Sequence, residues 1–310
     1  MSFSSNKRQL AIFVYNRPDK TKVLLDKIKE NKINRFNVFS DGPKVNESDV
    51  PIKEIRKMIK KIDWADVSVC EQSVNLGLAN SVISGVDKVF RSGFDEIIVL
   101  EDDCIPHSTF FPFMELALDR YKESLNVMHL SGFGLPLIQK NIDDGYFTPY
   151  PCSWGWATWK NRWENCNFND LINYKRILSD QSLRKEFDRP GAAFSEFLEK
   201  QLGGKIDSWL IRWYVHIFLK NGICLWAKNS HLINRGFDGQ GVHKVKFDRF
   251  NQNYKYRSIK IYFTLPSPKE VSPQVMNEFR RYFMGSKLLE RLKTLIYLVV
   301  KKVYLFFSRT

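Results

Sequence analysis

Short apolar runs alternate with amphipathic segments up to about Leu130. The runs are rich in β-branched and aromatic residues, as strands are, and the segments between them repeat apolar residues at helical spacing. The predicted strands are 10–15, 36–40, 65–71, 97–101 and 127–130. The predicted helices are 21–30, 52–62, 80–90 and 108–121. This alternation predicts an α/β fold with a mainly parallel sheet, whose ligands bind beyond the carboxyl ends of the strands.

The pattern changes after residue 131. Aromatic residues become frequent and irregularly spaced between residues 132 and 243, and the densest run is Ser153-Trp154-Gly155-Trp156-Ala157-Thr158-Trp159. We divide the chain at these changes into residues 1–131, 132–265 and 266–310. The second part is expected to fold onto the sheet of the first.

The composition is that of a large globular protein. The chain has 310 residues, 44% of them hydrophobic, and a formal net charge of +14. Its length and hydrophobic content allow it to bury a sizeable core. Its positive charge favours a polyanionic neighbour such as nucleic acid, an anionic membrane surface or a phosphorylated substrate.

The five cysteines form no C-x-x-C pair, which indicates neither a disulfide framework nor a zinc site. No apolar run reaches the roughly 18 residues of a membrane-spanning helix, so we expect a cytoplasmic protein.

Three consecutive carboxylates, Glu101, Asp102 and Asp103, follow an apolar run. Their mutual repulsion is costly unless a cation neutralises it. Oxygen ligands select hard ions such as Mg²⁺ or Mn²⁺, and the phosphates of a bound substrate would complete the coordination of the ion. Alternation along an extended chain places Asp102 opposite the other two, so one ion could bind all three only at a local turn. We assign the metal to Asp103 and contacts with a bound nucleotide to Asp102 and Glu101. The alternative is a solvated acidic turn before a helix that begins near Pro106.

The run Ile-Val-Leu-Glu-Asp-Asp, followed by Pro106 and Phe110-Phe111, resembles the acidic metal motif of N-acetylglucosaminyltransferase I and its bacterial relatives. Those enzymes are inverting glycosyltransferases of the GT-A fold, a Rossmann-like mixed sheet flanked by helices. The resemblance continues in chain order over much of residues 9 to 243. It includes Asn16-Arg17-Pro18, Phe39-Ser40-Asp41-Gly42, Asn75-Leu76-Gly77-Leu78-Ala79-Asn80, Ser153-Trp154-Gly155-Trp156, Ile206-Asp207-Ser208-Trp209-Leu210-Ile211-Arg212, Asn234-Arg235-Gly236-Phe237 and Gly241-Val242-His243.

The resemblance implies that Arg17 and Asp41 contact the nucleotide base, that Asp103 binds the metal and that Asp207 is the general base. Asp207 also suits this role on general grounds, because a base that deprotonates a sugar hydroxyl must be held rigidly on the acceptor side. The alternative is that Asp207 only caps the helix predicted over 208–221. Ser208 stands where the family has an aspartate, which puts in doubt the side chain that orients the base.

Two further residues are candidates for ligand contacts. His243 ends a glycine-rich loop that could approach a diphosphate closely, and GT-A enzymes place a histidine near the metal or the diphosphate. Trp154 could stack on an acceptor sugar. By contrast, Trp156, Trp159 and Trp163 recur at helical spacing and are expected in the core.

The end of the chain, residues 287–310, combines leucine, isoleucine and valine with six lysines and arginines against one Glu290, for a net charge of +5. This composition predicts an amphipathic helix lying on an anionic membrane surface. The alternative is a last core helix with a basic edge.

The expected activity is transfer of a sugar from a nucleoside diphosphate sugar, such as a UDP-sugar, with Mn²⁺ or Mg²⁺ as the metal. Residues 1–131 would bind the donor, residues 132–265 would bind the acceptor and carry the base, and residues 266–310 would associate with the membrane. One alternative is a sugar-nucleotide nucleotidyltransferase, although Asn16-Arg17-Pro18 occupies the place of its Gly-rich phosphate loop. The other is a basic protein that binds nucleic acid or a membrane surface, although the basic residues form no single stripe. We expect no nucleic-acid partner.

Overall fold

A computed structural model describes residues 3, 5–138, 143–237, 262–268 and 271–283, together with 292, 295–300, 303 and 307. The strands are β1 (Arg8–Val14), β2 (Arg35–Ser40), β3 (Asp66–Glu71), β4 (Glu96–Glu101), β5 (Cys104–Pro106), β6 (Val127–Ser131), β7 (Gly145–Thr148), β8 (Trp156–Trp159), β9 (Ile223–Ala227) and β10 (Leu232–Asn234). The helices are α1 (Pro18–Glu30), α2 (Val50–Ile59), α3 (Leu78–Arg91), α4 (Phe110–Tyr121), α5 (Lys160–Trp163), α6 (Leu171–Ser179), α7 (Gln181–Phe187), α8 (Ala193–Leu202), α9 (Trp209–Leu219) and α10 (Pro273–Arg280).

Eight strands form one mixed sheet in the order β3-β2-β1-β4-β8-β6-β9-β7, and β10 pairs with β5 in a second, two-stranded sheet. The first four strands of the order are parallel, with Ile12 of β1 beside Val38 of β2 and Leu100 of β4. All seven residues of β1 are buried, as expected for a central strand covered on both faces. The predicted α/β class, a Rossmann-like and mainly parallel sheet flanked by helices, is confirmed.

The aromatic run around residue 156 has a different place from the one predicted. It does not fold onto the sheet but enters it, because β8 inserts between β4 and β6 and runs antiparallel to both. The predicted core position of its tryptophans is confirmed, since Trp156, Trp159 and Trp163 are buried. The helical spacing was misleading, because Trp156 and Trp159 lie on a strand and only Trp163 on a helix. Strands from both sides of residue 131 thus share one sheet.

Stacked aromatic rings hold α9 against β8. The ring of Trp156 lies 4.8 Å from that of Trp209 and 5.7 Å from that of Trp163. His129 also stacks on Trp156, at 5.3 Å, and accepts a hydrogen bond from Trp213 Nε1 at 3.3 Å. Burial lowers the pKa of His129 to about 3, so this histidine is neutral and structural. The start of α9, next to Asp207, is therefore anchored to the centre of the sheet.

The five cysteines all lie in the described part of the chain and are free thiols. Among the described residues, no helix combines the length and the apolar character needed to cross a bilayer.

Candidate active site

Parallel strands β1 and β4 are neighbours, so the residues that follow them meet at one edge of the sheet. Arg17 follows β1 and precedes α1, which begins with Pro18 at a position where proline is favoured. The Arg17 carbonyl accepts from the Thr21 N–H at 2.9 Å and from the Thr21 hydroxyl at 3.0 Å. The backbone of Arg17 is therefore fixed, and its side chain extends towards the end of β4.

The guanidinium of Arg17 binds two carboxylates of the acidic triplet. Its Nη1 donates to Asp103 Oδ2 at 3.0 Å, its Nε donates to Asp102 Oδ2 at 3.2 Å, and its Nη2 pairs with Asp102 Oδ1. One side chain can reach both aspartates because the chain turns directly after Glu101, the local turn that alternation along a strand would not provide. Asp102 and Asp103 are both buried.

The alternative of an acidic turn at a helix N-terminus does not hold. β5 separates the triplet from α4, and that helix begins only at Phe110, beyond Pro106. Glu101 thus ends β4, and the buried Asp102 and Asp103 lie in the turn between β4 and β5 instead of flanking a helix end.

The triplet carries more negative charge than Arg17 can balance. Burial, followed by the charges of Asp103 and Asp102, raises the pKa of Glu101 to about 8. Burial also raises the pKa of Asp102 to about 6, against the lowering effect of Arg17. For Arg17 itself, burial lowers the pKa, but the charges of Asp102 and Asp103 more than offset this and raise it above its usual value. One guanidinium thus leaves three carboxylates undercompensated, which is the electrostatic setting that attracts a further cation.

A loop from the second half of the chain closes over Asp103. β10 pairs with β5, and the Arg235 N–H that follows donates to the Asp103 carbonyl at 2.8 Å. Gly236 comes next, and a Cβ there would lie 2.7 Å from Asp103 Oδ2 and 2.8 Å from Asn234 Oδ1. A glycine here lets the backbone pass directly beside the carboxylate, where any side chain would clash.

These residues fit a divalent cation held mainly by its substrate. Within the described residues, no three histidine, cysteine, aspartate or glutamate side chains converge as a metal-binding group. Mg²⁺ and Mn²⁺ sites of nucleotide enzymes need fewer, because one or two carboxylates suffice when phosphate oxygens supply other ligands. The Asp103 carboxylate, which keeps 11% of its side chain exposed beside Arg17, suits that arrangement.

Asp41, at the carboxyl end of β2, holds a neighbouring loop through hydrogen bonds. Its buried carboxylate accepts from the Gly42 N–H and the Leu76 N–H, both at 2.8 Å. It also accepts from Asn75 Nδ2 and the Gly77 N–H, both at 3.1 Å. Four donors thus bind one side chain and tie the end of β2 to the loop that leads into α3. The predicted contact of Asp41 with a nucleotide base is not tested by this geometry.

We expect Asp41→Ala to destabilise the protein by about 3 kcal/mol, because it leaves several donors without their charged acceptor. Urea unfolding of the purified variant measures this. The control Asp26→Ala removes only an exposed ion pair with Lys22 and should change the free energy of unfolding by less than about 0.5 kcal/mol. Equal unfolding midpoints for the two variants would show that Asp41 does not organise the loop.

Asp207 lies beside this loop. Gly77 has a φ of +76°, a conformation that favours glycine, and a Cβ there would lie 3.9 Å from Asp207 Oδ2. Arg212 Nη2 donates to Asp207 Oδ1 at 2.5 Å, and Arg212 Nε donates to the Ser208 carbonyl at 3.0 Å. The alternative that Asp207 caps the helix is wrong, because Ser208 is the N-cap and accepts from the Ile211 N–H at 3.4 Å. Asp207 is thus held by a buried arginine while about half of its side chain stays exposed.

Trp154 and His243 complete the predicted set. Trp154 is partly buried, and its ring makes edge contacts with Phe133 at 4.7 Å and Phe237 at 5.5 Å, on the same loop as Gly236. His243 lies outside the described residues. The structure therefore brings Arg17, Asp102 and Asp103 into direct contact. Asp41 and Asp207 form a second group, because both lie next to Gly77.

Sequence reasoning missed the side chains that hold these loops. Arg56 of α2 donates to the Ser40 and Asp41 carbonyls at 3.4 and 3.2 Å and to the Gln72 carbonyl at 2.6 Å. It therefore joins the carboxyl ends of β2 and β3. Lys20 of α1 is buried, and its Nζ donates to the Arg235 carbonyl at 3.2 Å. A lysine or arginine on an exposed-looking helix carries no sequence signal for such a contact.

No known family model and no curated protein matches the chain. Solved structures resemble it at low similarity. A mannosyltransferase from Pyrobaculum calidifontis in complex with GDP-Man and Mn²⁺ has a TM-score of 0.37 and 14% identity, covering 50% of this chain and 45% of its own. A UDP-glucose pyrophosphorylase complexed with UDP-glucose has a TM-score of 0.34 and 11% identity, covering 71% and 90%.

A cytidylyltransferase from Leptospira borgpetersenii serovar Hardjo-bovis has a TM-score of 0.32 and 16% identity, covering 52% of this chain and 63% of its own. The chain spans less than half the length of the mannosyltransferase. These TM-scores are too low to transfer a function, so the resemblance to N-acetylglucosaminyltransferase I stays a prediction.

Proposed function

We propose that this protein is a metal-dependent, inverting glycosyltransferase. It would move a hexosyl or N-acetylhexosaminyl group from a nucleoside diphosphate sugar, such as a UDP-sugar, to a hydroxyl of a glycan or lipid-linked oligosaccharide in bacterial surface polysaccharide synthesis. The observation that carries the proposal is the contact of Arg17 with Asp102 and Asp103 at the carboxyl ends of adjacent parallel strands, the edge where such sheets bind ligands.

On the donor side, the chain supplies carboxylates and one guanidinium. Asp103 would hold Mn²⁺ or Mg²⁺, which neutralises the charge of a leaving diphosphate when bound. Glu101 and Asp102 would contact the nucleotide, and Arg17 fixes the orientation of the two aspartates while contacting the base. Asp41 would contact the nucleotide base, as the resemblance implies, and it also holds the Asn75–Gly77 loop. His243 would contact the diphosphate or the metal, as the resemblance implies.

On the acceptor side, Asp207 would take the proton of the acceptor hydroxyl as the sugar is transferred. Its Oδ1 is engaged by Arg212, whereas its Oδ2 faces the space beside Gly77. Residues 132–265 would thus supply the acceptor contacts, Trp154 among them, and residues 1–131 would bind the donor. The acceptor chemistry would place the protein on the inner face of the cytoplasmic membrane, with residues 287–310 in contact with an anionic membrane surface.

Arg212 is a positioning residue in this proposal. It is buried and binds both the Asp207 carboxylate and the Ser208 carbonyl, so a planar guanidinium fixes the carboxylate from the adjacent turn of α9. Lysine carries a single ammonium group instead of several N–H donors in one plane, so it cannot make both contacts in the same geometry.

We expect Arg212→Lys to lower kcat about 30-fold while the KM for the donor stays within about twofold, because a small misplacement of a base is costly in rate. Steady-state kinetics with varied donor measures the split. The matched control is Arg184→Lys, which alters an exposed pair with Glu199 and should leave both constants unchanged. An unchanged kcat in Arg212→Lys would remove the positioning role.

The proposed function is tested by incubating the protein with nucleoside diphosphate sugars and Mn²⁺ and measuring what is released. A glycosyltransferase releases a nucleoside diphosphate. Consumption of a sugar phosphate and a nucleoside triphosphate with release of pyrophosphate would instead identify a nucleotidyltransferase. Salt-sensitive binding of DNA or RNA without any effect of sugar nucleotides would contradict both activities.

A further inference from the structure

The end of the chain carries an exposed apolar stripe. Residues 295–300 are helical. Four of their side chains are apolar and 57% to 62% exposed: Leu295, Ile296, Val299 and Val300. At about 100° of rotation per residue they fall within one arc of about 140°. They therefore form a continuous apolar face, which we call the C-terminal stripe.

The opposite side of the same helix packs on the folded protein. Tyr297 and Leu298 are partly buried and pack against the hydrophobic core. The Tyr297 hydroxyl donates to Glu278 Oε1 at 3.3 Å, and the Arg281 guanidinium lies 4.8 Å from the centre of the Tyr297 ring. These partners belong to α10 and the turn after it, where Phe279 packs edge-on against Trp226 of β9 at 5.0 Å.

The two interpretations of this segment that the sequence leaves open are therefore compatible. The helix is attached to the domain through Tyr297 and Leu298, as a last packed helix would be. Its C-terminal stripe nevertheless points away from that contact. Attachment on one side fixes the direction in which the other side faces, so the exposed residues form an oriented surface.

An exposed apolar face of this extent marks a site of interaction, and the charge around it selects the partner. The segment 287–310 has a net charge of +5 within a chain of +14. A second copy of the chain would bring two such segments together and be repelled, whereas an anionic surface would be attracted. A basic amphipathic helix of this kind binds in the plane of a membrane interface.

We propose that the C-terminal stripe is a docking surface for an anionic lipid bilayer. The apolar side chains insert among the acyl chains near the headgroups, the net positive charge of the segment 287–310 attracts the anionic headgroups, and Tyr297 and Leu298 keep the domain attached. This surface specifies the membrane contact of residues 287–310 and in that respect rests on the proposed function, but it needs neither the acidic triplet nor Asp207 to bind lipid.

The test is flotation of the full-length protein with two kinds of vesicle, one of phosphatidylcholine alone and one that also contains phosphatidylglycerol. The stripe variant replaces Leu295, Ile296 and Val299 with serine. The control variant makes three equivalent changes at exposed apolar residues elsewhere, Leu125, Leu171 and Ile172. Because all six side chains are exposed, both variants should fold, and circular dichroism checks this.

We expect the wild type and the control variant to bind the anionic vesicles and the stripe variant to bind about tenfold or more weakly, through lost apolar burial. Binding of the stripe variant equal to that of the control would mean that charge alone acts and would overturn the proposal. Absence of wild-type binding would overturn it as well. So would a wild type and a control variant that are dimers without lipid while the stripe variant is a monomer. Turnover on a water-soluble acceptor should be equal in all three proteins, which separates this result from that of the proposed function.

Discussion

Replacing Asp207 with asparagine should abolish sugar transfer while preserving donor binding. The substitution keeps the shape of the side chain and a hydrogen-bond acceptor for Arg212, but it removes the group that would accept the proton of the acceptor hydroxyl. General-base catalysis contributes about 10²- to 10⁴-fold to a rate, so we expect kcat to fall about 10³-fold. Donor affinity should stay within about twofold, because Asp207 lies beside Gly77 and not within the acidic triplet.

The matched control for this prediction is Asp26→Asn, which makes the same chemical change at an exposed position on α1 and should leave kcat unaltered. Kinetics with saturating donor and varied acceptor, together with direct titration of the donor, separate the two effects. Normal transfer by Asp207→Asn would place the base elsewhere. A loss of donor binding would show that Asp207 contributes to the structure of the donor site instead.

Replacing Asp103 with alanine should abolish Mn²⁺-dependent turnover, with a loss of about 10³-fold or more, because Asp103 is the proposed metal ligand and such sites take only one or two carboxylates from the protein. The fold should persist, since Arg17 keeps its contacts with Asp102 and the Asp103 carbonyl keeps its bond from the Arg235 N–H. Turnover is measured over a range of Mn²⁺ concentrations, and circular dichroism reports the fold.

Asp66→Ala is the control for that substitution, because Asp66 is an exposed acid at the amino end of β3, on the opposite edge of the sheet. It should behave as the wild type at every concentration of metal. Turnover by Asp103→Ala with the Mn²⁺ dependence of the wild type would overturn the metal assignment, whatever the fate of the rest of the proposal.

The sequence predicts the frame of the site because that frame is built from local patterns. The apolar run before Glu101 predicts β4, and its actual bounds, Glu96–Glu101, differ by one residue. Because parallel strands end at a common edge, the same patterns also predict that Arg17 and the acidic triplet are near one another.

The contacts within the site are not predictable in this way, because they join residues that are far apart in the chain. Arg17 and Asp102 are separated by 85 positions, and Asp41 and Gly77 by 36. No periodicity reports such pairs. For this reason the sequence-based assignment of a metal to the triplet did not include the contacts of Arg17. The four donors around Asp41 were not predicted either.

The aromatic run around Trp156 shows a different limit. Spacings of three and four residues are those of a helix, yet Trp156 and Trp159 lie on a four-residue strand between β4 and β6. A strand this short has too few residues to show alternation, and burial on both faces removes the polar positions that would have revealed it. Tertiary pairing decided the structure here.

Metal-dependent binding of a sugar nucleotide is tested most directly by measuring the thermal stability of the wild type with nucleoside diphosphate sugars, each with and without Mn²⁺. A ligand that binds only the native state raises Tm. We predict that at least one sugar nucleotide raises Tm in the presence of Mn²⁺, that the shift is lost without the metal, and that Asp103→Ala abolishes it. The proposed metal-dependent glycosyltransferase activity would be contradicted if no sugar nucleotide changed Tm, or if the same shift occurred without Mn²⁺ and in Asp103→Ala.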